Sequence, residues 1–167
     1  MTARERRKLR RTAIHEAGHA VADVYLRNGL HRATIVATDN ALGHVASRHL
    51  PRDHRVALEV GVPTPAQRRR IEAKATALLA GPAAERRFVG RWDWIGASSD
   101  IDDLTDLALN MAEDDTEHGP TRWFAKIQER AVGFVDEHWE EIGCVADALM
   151  DRRTLSAPAV RKLVAGD

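Results

Sequence analysis

The sequence predicts a mainly helical α+β fold in which a small β-hairpin or sheet lies beside the first helix. Three observations predict it. Apolar residues recur at helical spacing through the first segment. Two short β-type runs follow, Ala33–Thr38 and Leu42–His49, with turn residues Asp39 and Asn40 at their connection. Helix start and stop signals then return through the rest of the 167 residues.

The composition is that of a soluble globular protein, expected to form a single domain over residues 1–167. Apolar residues make up 44% and charged residues 30%, and the formal net charge is zero, which argues against a polyelectrolyte partner. The single cysteine, Cys144, rules out an internal disulfide and is expected to be buried. No apolar run approaches the roughly 20 residues of a membrane helix. We therefore expect a cytoplasmic protein without a membrane span.

The first helix is predicted from about Ala3 to Asn28, with Gly29 as the residue that ends it. It opens with a basic lead-in over residues 1–11, which we expect to be solvated or to contact a partner protein. Nucleic acid is the less favoured ligand for this lead-in. The apolar positions that mark the buried face of the helix are Ile14, Ala17, Val21, Val24 and Tyr25.

Capping signals predict the later helices. Residues 51–62 are irregular and are expected to form a loop, and Thr64, Pro65 and Gln67 then begin a helix. Because glycine and proline disrupt helices, that helix is expected to break near Gly81-Pro82. The segments predicted to be helical after it are Ala83–Phe88, about Asp100–His118, about Thr121–Ile142, Val145–Asp151 and Ala157–Ala165.

The segment "TAIHEAGHAVA", residues 12–22, places His15 and His19 four residues apart. Residues i and i+4 share one helix face, so both imidazoles can bind one metal ion, as a zinc site requires. Glu16 is rotated from His15 by about 100 degrees, which places its carboxylate beside the ion, where it can take a proton from water. The small Gly18 would let another element pack closely. The pattern predicts a zinc site with Glu16 as catalytic base.

A catalytic zinc ion needs a third protein ligand, and the spacing of the residues leaves that ligand open. Histidines and carboxylates at many positions have the right chemistry, and helical periodicity does not choose among them. The candidates are His44, His49, Glu85, Asp100, Asp102, Asp103 and Asp106.

Four segments resemble, in order and with similar spacing, the peptidase domain of the FtsH family of ATP-dependent zinc proteases. They are "RRTAIHEAGHAVA", "ATIVATDNALGHV", "ALLAGPAAERRFVG" and "GASSDIDDLTDLALNMAED", and together they cover roughly residues 8–118. The resemblance implies an FtsH peptidase-like helical domain that binds zinc and acts as a metalloendopeptidase.

The resemblance also implies roles for two carboxylates. Asp100, in "GASSDID", matches the aspartate that completes the zinc site in this family. The alternative for Asp100 is an ordinary acidic residue at a helix N-terminus, where the helix dipole favours it. Glu85 matches a glutamate expected to accept an N–H from a ligating imidazole. The alternative for Glu85 is a surface salt bridge with Arg86 or Arg87.

The expected activity is hydrolysis of peptide bonds in peptides or unfolded polypeptides. FtsH-type proteases carry a membrane anchor and an AAA+ ATPase module before the peptidase domain, whereas only 14 residues precede His15 here. We therefore expect a stand-alone domain that does not itself use ATP, and a separate ATPase or a homo-oligomer remains open. The alternative function is a catalytically silent metal-binding regulatory or adaptor domain that retains the peptidase fold.

Overall fold

The computed structural model describes residues 1–38, 42–59, 63–94, 98–111 and 118–166. Within these ranges the chain forms seven helices and three short strands. The helices are α1 (Ala3–Tyr25), α2 (Arg52–Glu59), α3 (Pro65–Val89), α4 (Ser98–Met111), α5 (Gly119–Glu137), α6 (Trp139–Arg152) and α7 (Ala157–Ala165). The strands are β1 (Leu30–Thr34), β2 (His44–Ser47) and β3 (Thr154–Ser156). The predicted mainly helical α+β fold is confirmed.

The strands form one antiparallel sheet in the order β2-β1-β3. β1 and β2 form the predicted hairpin, with Thr34 opposite His44, but β1 begins three residues and ends four residues before the predicted run Ala33–Thr38. The connection at Asp39 and Asn40 lies outside the described residues. β3 pairs with the other side of β1. β3 was not predicted because three residues are too few to show an alternating pattern. Among the strands that the structure describes, β2 therefore forms one edge of the sheet.

The first helix begins with a capping box, in which Thr2 and Glu5 each accept a backbone N–H from the other. It ends at Tyr25, three residues before the predicted end. The backbone N–H of Asn28 donates to the carbonyl of Asp23 at 2.9 Å, and Arg27 adopts the left-handed conformation with φ 55°. This Schellman-type end places the terminating residue at Arg27, where glycine would be usual, and not at Gly29.

Two predictions around α3 were wrong. Residues 52–59, predicted as loop, form α2, whose single buried turn carries Ala57 and Leu58 and is too short to show a clear period. α3 begins as predicted at a capping box of Thr64 and Gln67 but continues without a break through Gly81-Pro82. Packing of its buried middle, Ile71–Glu85, against α1, α4 and α5 offsets the hydrogen bond that proline cannot donate.

The predicted helix over residues 121–142 is two helices, α5 and α6. His138 leaves the helical conformation between them, with ψ 27°, and its ring stacks on Tyr25 with ring centroids 4.0 Å apart. α6 continues through the segment predicted as a separate helix over Val145–Asp151, whereas α7 matches its prediction over Ala157–Ala165. For the helix predicted to reach His118, the structure describes α4 as far as Met111.

The core lies around α1 and α3, which pack closely against each other and against α5 and α6. The predicted apolar face of α1 is buried at Ile14, Ala17 and Val21, but Tyr25 is 42% exposed and lies against aromatic rings at the end of α5. Cys144 was also predicted to be buried and is exposed, since α6 turns its other face to the core. Among the described helices, none is both long and apolar enough to cross a bilayer.

Candidate metal centre

The two histidines of α1 and an aspartate of α4 meet at one point. His15 and His19 lie one helical turn apart, with their Nε2 atoms 3.1 Å from each other. Asp100, in the first turn of α4, places Oδ2 3.3 Å from His15 Nε2 and 3.5 Å from His19 Nε2. These three atoms lie within 4.8 Å of one another, and together they could hold one metal ion.

In each histidine, the hydrogen bond made by Nδ1 fixes the orientation of the ring and the protonation of Nε2. His19 Nδ1 lies 2.8 Å from the carbonyl oxygen of Ala77, which only accepts hydrogen bonds, so Nδ1 carries a proton. His15 Nδ1 lies 3.0 Å from Oε2 of Glu85 and donates to it. In neutral rings, both Nε2 atoms then present lone pairs to each other and to the Asp100 carboxylate. Three electron-rich atoms that converge without a donor between them fit a zinc ion.

Protons stabilise the same cluster when no metal is bound. Burial lowers the pKa of His15, but hydrogen bonds to Asp100 and Glu85 and the charge of Glu16 outweigh it and raise this pKa to about 10. Burial also lowers the pKa of His19, but the charge of Asp100 and a hydrogen bond to it outweigh burial and raise this pKa. Burial would raise the pKa of Asp100, but the two imidazolium groups hold it well below its usual range. A metal ion must therefore displace protons from this site.

Glu16 lies beside the cluster in a covered position. Its side chain is buried, and its pKa is raised, chiefly by burial, although the charges of His19 and His15 act in the opposite direction. The backbone before β2 lies directly over the carboxylate, since a Cβ built on Gly43 would come within 2.5 Å of Glu16 Oε1. A glutamate with a raised pKa is suited to accepting and returning a proton near neutral pH.

Two glycines allow α1 and α3 to approach each other at the centre. A Cβ on Gly18 would lie 2.5 Å from the carbonyl oxygen of Ala80, which agrees with the close packing predicted for this small residue. A Cβ on Gly81 would lie 2.6 Å from Cδ2 and Cε1 of His19 and would overlap Nε2. Gly81 was predicted to break the helix, and this was wrong. A glycine inside an otherwise helical pattern was the available signal for a close contact.

Glu85 lies on α3, is buried, and uses its two oxygens differently. Oε2 lies 3.0 Å from His15 Nδ1, and Oε1 accepts from Nε of Arg11 at 2.7 Å. The alternative partners do not pair with it, because Arg86 lies over the ring of Trp92 and Arg87 pairs with Asp136. Arg11 was missed, since its place in a basic run suggested a solvated side chain.

The remaining candidates for a third ligand do not join this cluster. All five have exposed side chains, and the metal-type grouping found among the described residues contains none of them. They are His44, His49, Asp102, Asp103 and Asp106.

Two histidines from one HExxH helix, a carboxylate from a second helix and a buried glutamate beside them define the type of centre found in metallopeptidases. The model of the family described as "Peptidase family M41" matches residues 1–119. The chain belongs to this family.

Several curated relatives share this similarity. The ATP-dependent zinc metalloprotease FtsH of Thermotoga maritima is 35% identical over 127 residues, and that of Caulobacter vibrioides is 35% identical over 122 residues. These alignments cover 72% and 71% of this chain but 19% and 16% of the relatives. The ATP-dependent zinc metalloprotease YME1L of Drosophila melanogaster is 29% identical over 188 residues, covering 92% of this chain and 24% of the relative. The chain thus spans a quarter or less of the length of these proteins.

Proposed function

We propose that this chain is a zinc-dependent metallopeptidase domain that hydrolyses peptide bonds in peptides or unfolded polypeptides and does not itself use ATP. One observation carries the proposal. The Nε2 atoms of His15 and His19 and Oδ2 of Asp100 converge next to the buried carboxylate of Glu16. A site that only stored metal would have no use for this additional base.

Each residue has a distinct role in this proposal. His15, His19 and Asp100 hold the ion, and Glu85 fixes the His15 ring through Nδ1. When bound, zinc acts as a Lewis acid that polarises the peptide carbonyl and makes water more acidic. Glu16 accepts a proton from the attacking water and passes it to the nitrogen of the departing amine. Burial of Glu16 supports this role because it raises the affinity of the carboxylate for that proton.

The proposed substrates follow from the sheet edge beside the site. Within the described ranges, β2 has a partner strand on one side only, and Gly43, immediately before it, lies over Glu16. An extended peptide could add to β2 through main-chain hydrogen bonds, which would bring a peptide bond next to the base. Only peptides or unfolded segments can adopt that form. Delivery by a separate ATPase, assembly into a homo-oligomer and location in the cytoplasm stay predictions.

Metal content of the wild type and of Asp100→Ala, measured side by side by elemental mass spectrometry, tests the proposal. The wild type should hold one zinc ion per chain. Asp100→Ala should lose most of it, because two imidazoles alone form an incomplete site. Asp102→Ala, which removes an exposed carboxylate two residues away on the same helix, should retain wild-type zinc.

Each alternative has its own result in that experiment. Zinc retained by Asp100→Ala would move the search for the third ligand elsewhere, and no zinc in a folded, zinc-supplied wild type would overturn the proposal. Zinc binding without hydrolysis of an unstructured peptide would instead favour the catalytically silent regulatory domain.

Zinc affinity should rise with pH through the neutral range. The pKa of His15 is raised to about 10 without metal, so its imidazole is protonated at neutral pH and must lose that proton to bind zinc. Calorimetry in buffers of different ionisation enthalpy should detect at least about one proton released per zinc ion.

The metal-free chain should show the opposite trend with pH. A raised histidine pKa contributes stability that is fully present below the ordinary value of 6.5 and is lost as the pH rises towards about 10. Denaturant unfolding of the chelated protein should therefore show falling stability over this range. If neither the stability of the metal-free chain nor the zinc affinity changed between about pH 6 and pH 9, the protonation of His15 would be contradicted.

A further inference from the structure

We propose that Arg11 is a positioning residue of the metal centre, which acts through Glu85 on His15. The inference rests on the proposed function, since it concerns how the site is held ready for zinc. Arg11 precedes His15 by one turn on α1, so both side chains reach the same part of α3. Arg11 therefore connects the two helices immediately outside the predicted ligands.

The hydrogen bonds divide the Glu85 carboxylate between two partners. Nε of Arg11 donates to Oε1 of Glu85 at 2.7 Å, and Nη2 of Arg11 donates to the same oxygen. His15 Nδ1 lies 3.0 Å from Oε2. Because the terminal torsion of a glutamate is broad, an unrestrained carboxylate could rotate away from the imidazole. The fork of Arg11 holds one oxygen and thereby aims the other at His15.

Charge compensation gives Arg11 a second function at this position. Glu85 is 7% exposed, and a buried carboxylate without a cation is costly. Arg11 supplies that cation, with its guanidinium hydrogen-bonded to Oε1 of Glu85.

Arg11 is itself fixed from the opposite side. Its Nη2 also pairs with Asp93, which lies between Trp92 and Trp94, whose rings stack with centroids 4.4 Å apart. The neighbouring Arg10 differs, because it pairs with the exposed Asp147 on α6 and not with the metal centre. Arg10 therefore provides a matched control of the same residue type.

Zinc dissociation constants from chelator competition test the inference. Arg11→Met should weaken zinc binding by about 10- to 100-fold, as the loss of an outer-shell partner typically does. Arg10→Met should remain within about twofold of wild type. Arg11→Lys retains a charge but not the fork, so it should fall between Arg11→Met and wild type. It also serves as the milder variant if Arg11→Met does not fold.

A double-mutant cycle distinguishes action through Glu85 from a general structural effect. Both oxygens of Glu85 face donors, and in Glu85→Gln the amide NH₂ takes one of these positions and cannot accept, so this variant should also lose zinc affinity. Arg11→Met combined with Glu85→Gln should bind zinc no more weakly than Glu85→Gln alone. The absorption spectrum of bound Co²⁺, which reports ligand geometry, should change in Arg11→Met and not in Arg10→Met.

The outcomes separate the inference from the function on which it rests. Wild-type zinc affinity in Arg11→Met, or additive losses in the double variant, would overturn the role of Arg11 and leave the metallopeptidase proposal standing. A folded wild type that binds no zinc would overturn both. The inference would be supported if Arg11→Met lost zinc affinity and changed the Co²⁺ spectrum, and if the double variant bound zinc no more weakly than Glu85→Gln. That support would hold even if no peptide substrate were cleaved.

Discussion

Replacing Glu16 with glutamine should leave zinc bound and lower kcat for peptide hydrolysis by about 10²- to 10⁴-fold, the usual contribution of a general base. Glutamine has nearly the same shape but cannot accept the proton of the attacking water. Zinc should remain because His15, His19 and Asp100 are unchanged and Glu16 is outside their set of converging atoms. Cleavage of an internally quenched, unstructured peptide measures the rate, and elemental analysis measures the metal.

A control variant shows whether the effect is specific to the site. Glu140→Gln makes the same chemical change on the exposed surface of α6 and should retain wild-type kcat. Thermal unfolding of both variants checks that the fold persists. Full activity of zinc-loaded Glu16→Gln would rule out Glu16 as the base and, with it, the proposed mechanism.

Most of this centre was predictable where its residues are close in sequence. His15, Glu16 and His19 fall within little more than one turn, so helical periodicity alone places them together. The partnership of His15 with Asp100 joins residues 85 positions apart, which spacing cannot specify. Only the family resemblance singled out Asp100 among seven chemically suitable side chains.

The fold shows the same division between local and long-range information. The capping box at Thr64 is a local signal and correctly marked the start of α3. The expected break at Gly81-Pro82 was also inferred from local preferences, but tertiary packing overrides them there. Arg11 was misinterpreted for a similar reason. Its basic neighbours suggested solvent, whereas its carboxylate partners come from residues more than 70 positions away.

Gly81→Ala should lower zinc affinity by about 10- to 100-fold, although alanine is the better helix former. The added methyl group would overlap Nε2 of His19 and lie 2.6 Å from two of its ring carbons. The His19 ring has little room to move because its Nδ1 is hydrogen-bonded to the carbonyl oxygen of Ala77. Either His19 turns away from the ion, or α1 and α3 separate at a cost of about 1–3 kcal/mol, typical of overpacking.

Gly133→Ala supplies the matched control, because Gly133 is also inside a helix but a Cβ there meets nothing within 4 Å. That variant should gain about 0.5–1 kcal/mol of stability and keep its zinc affinity. Chelator competition and denaturant unfolding on both variants separate helix preference from contact with His19. If Gly81→Ala were as stable as Gly133→Ala and bound zinc like the wild type, the close contact of the His19 ring with residue 81, and the effect predicted from it, would be ruled out.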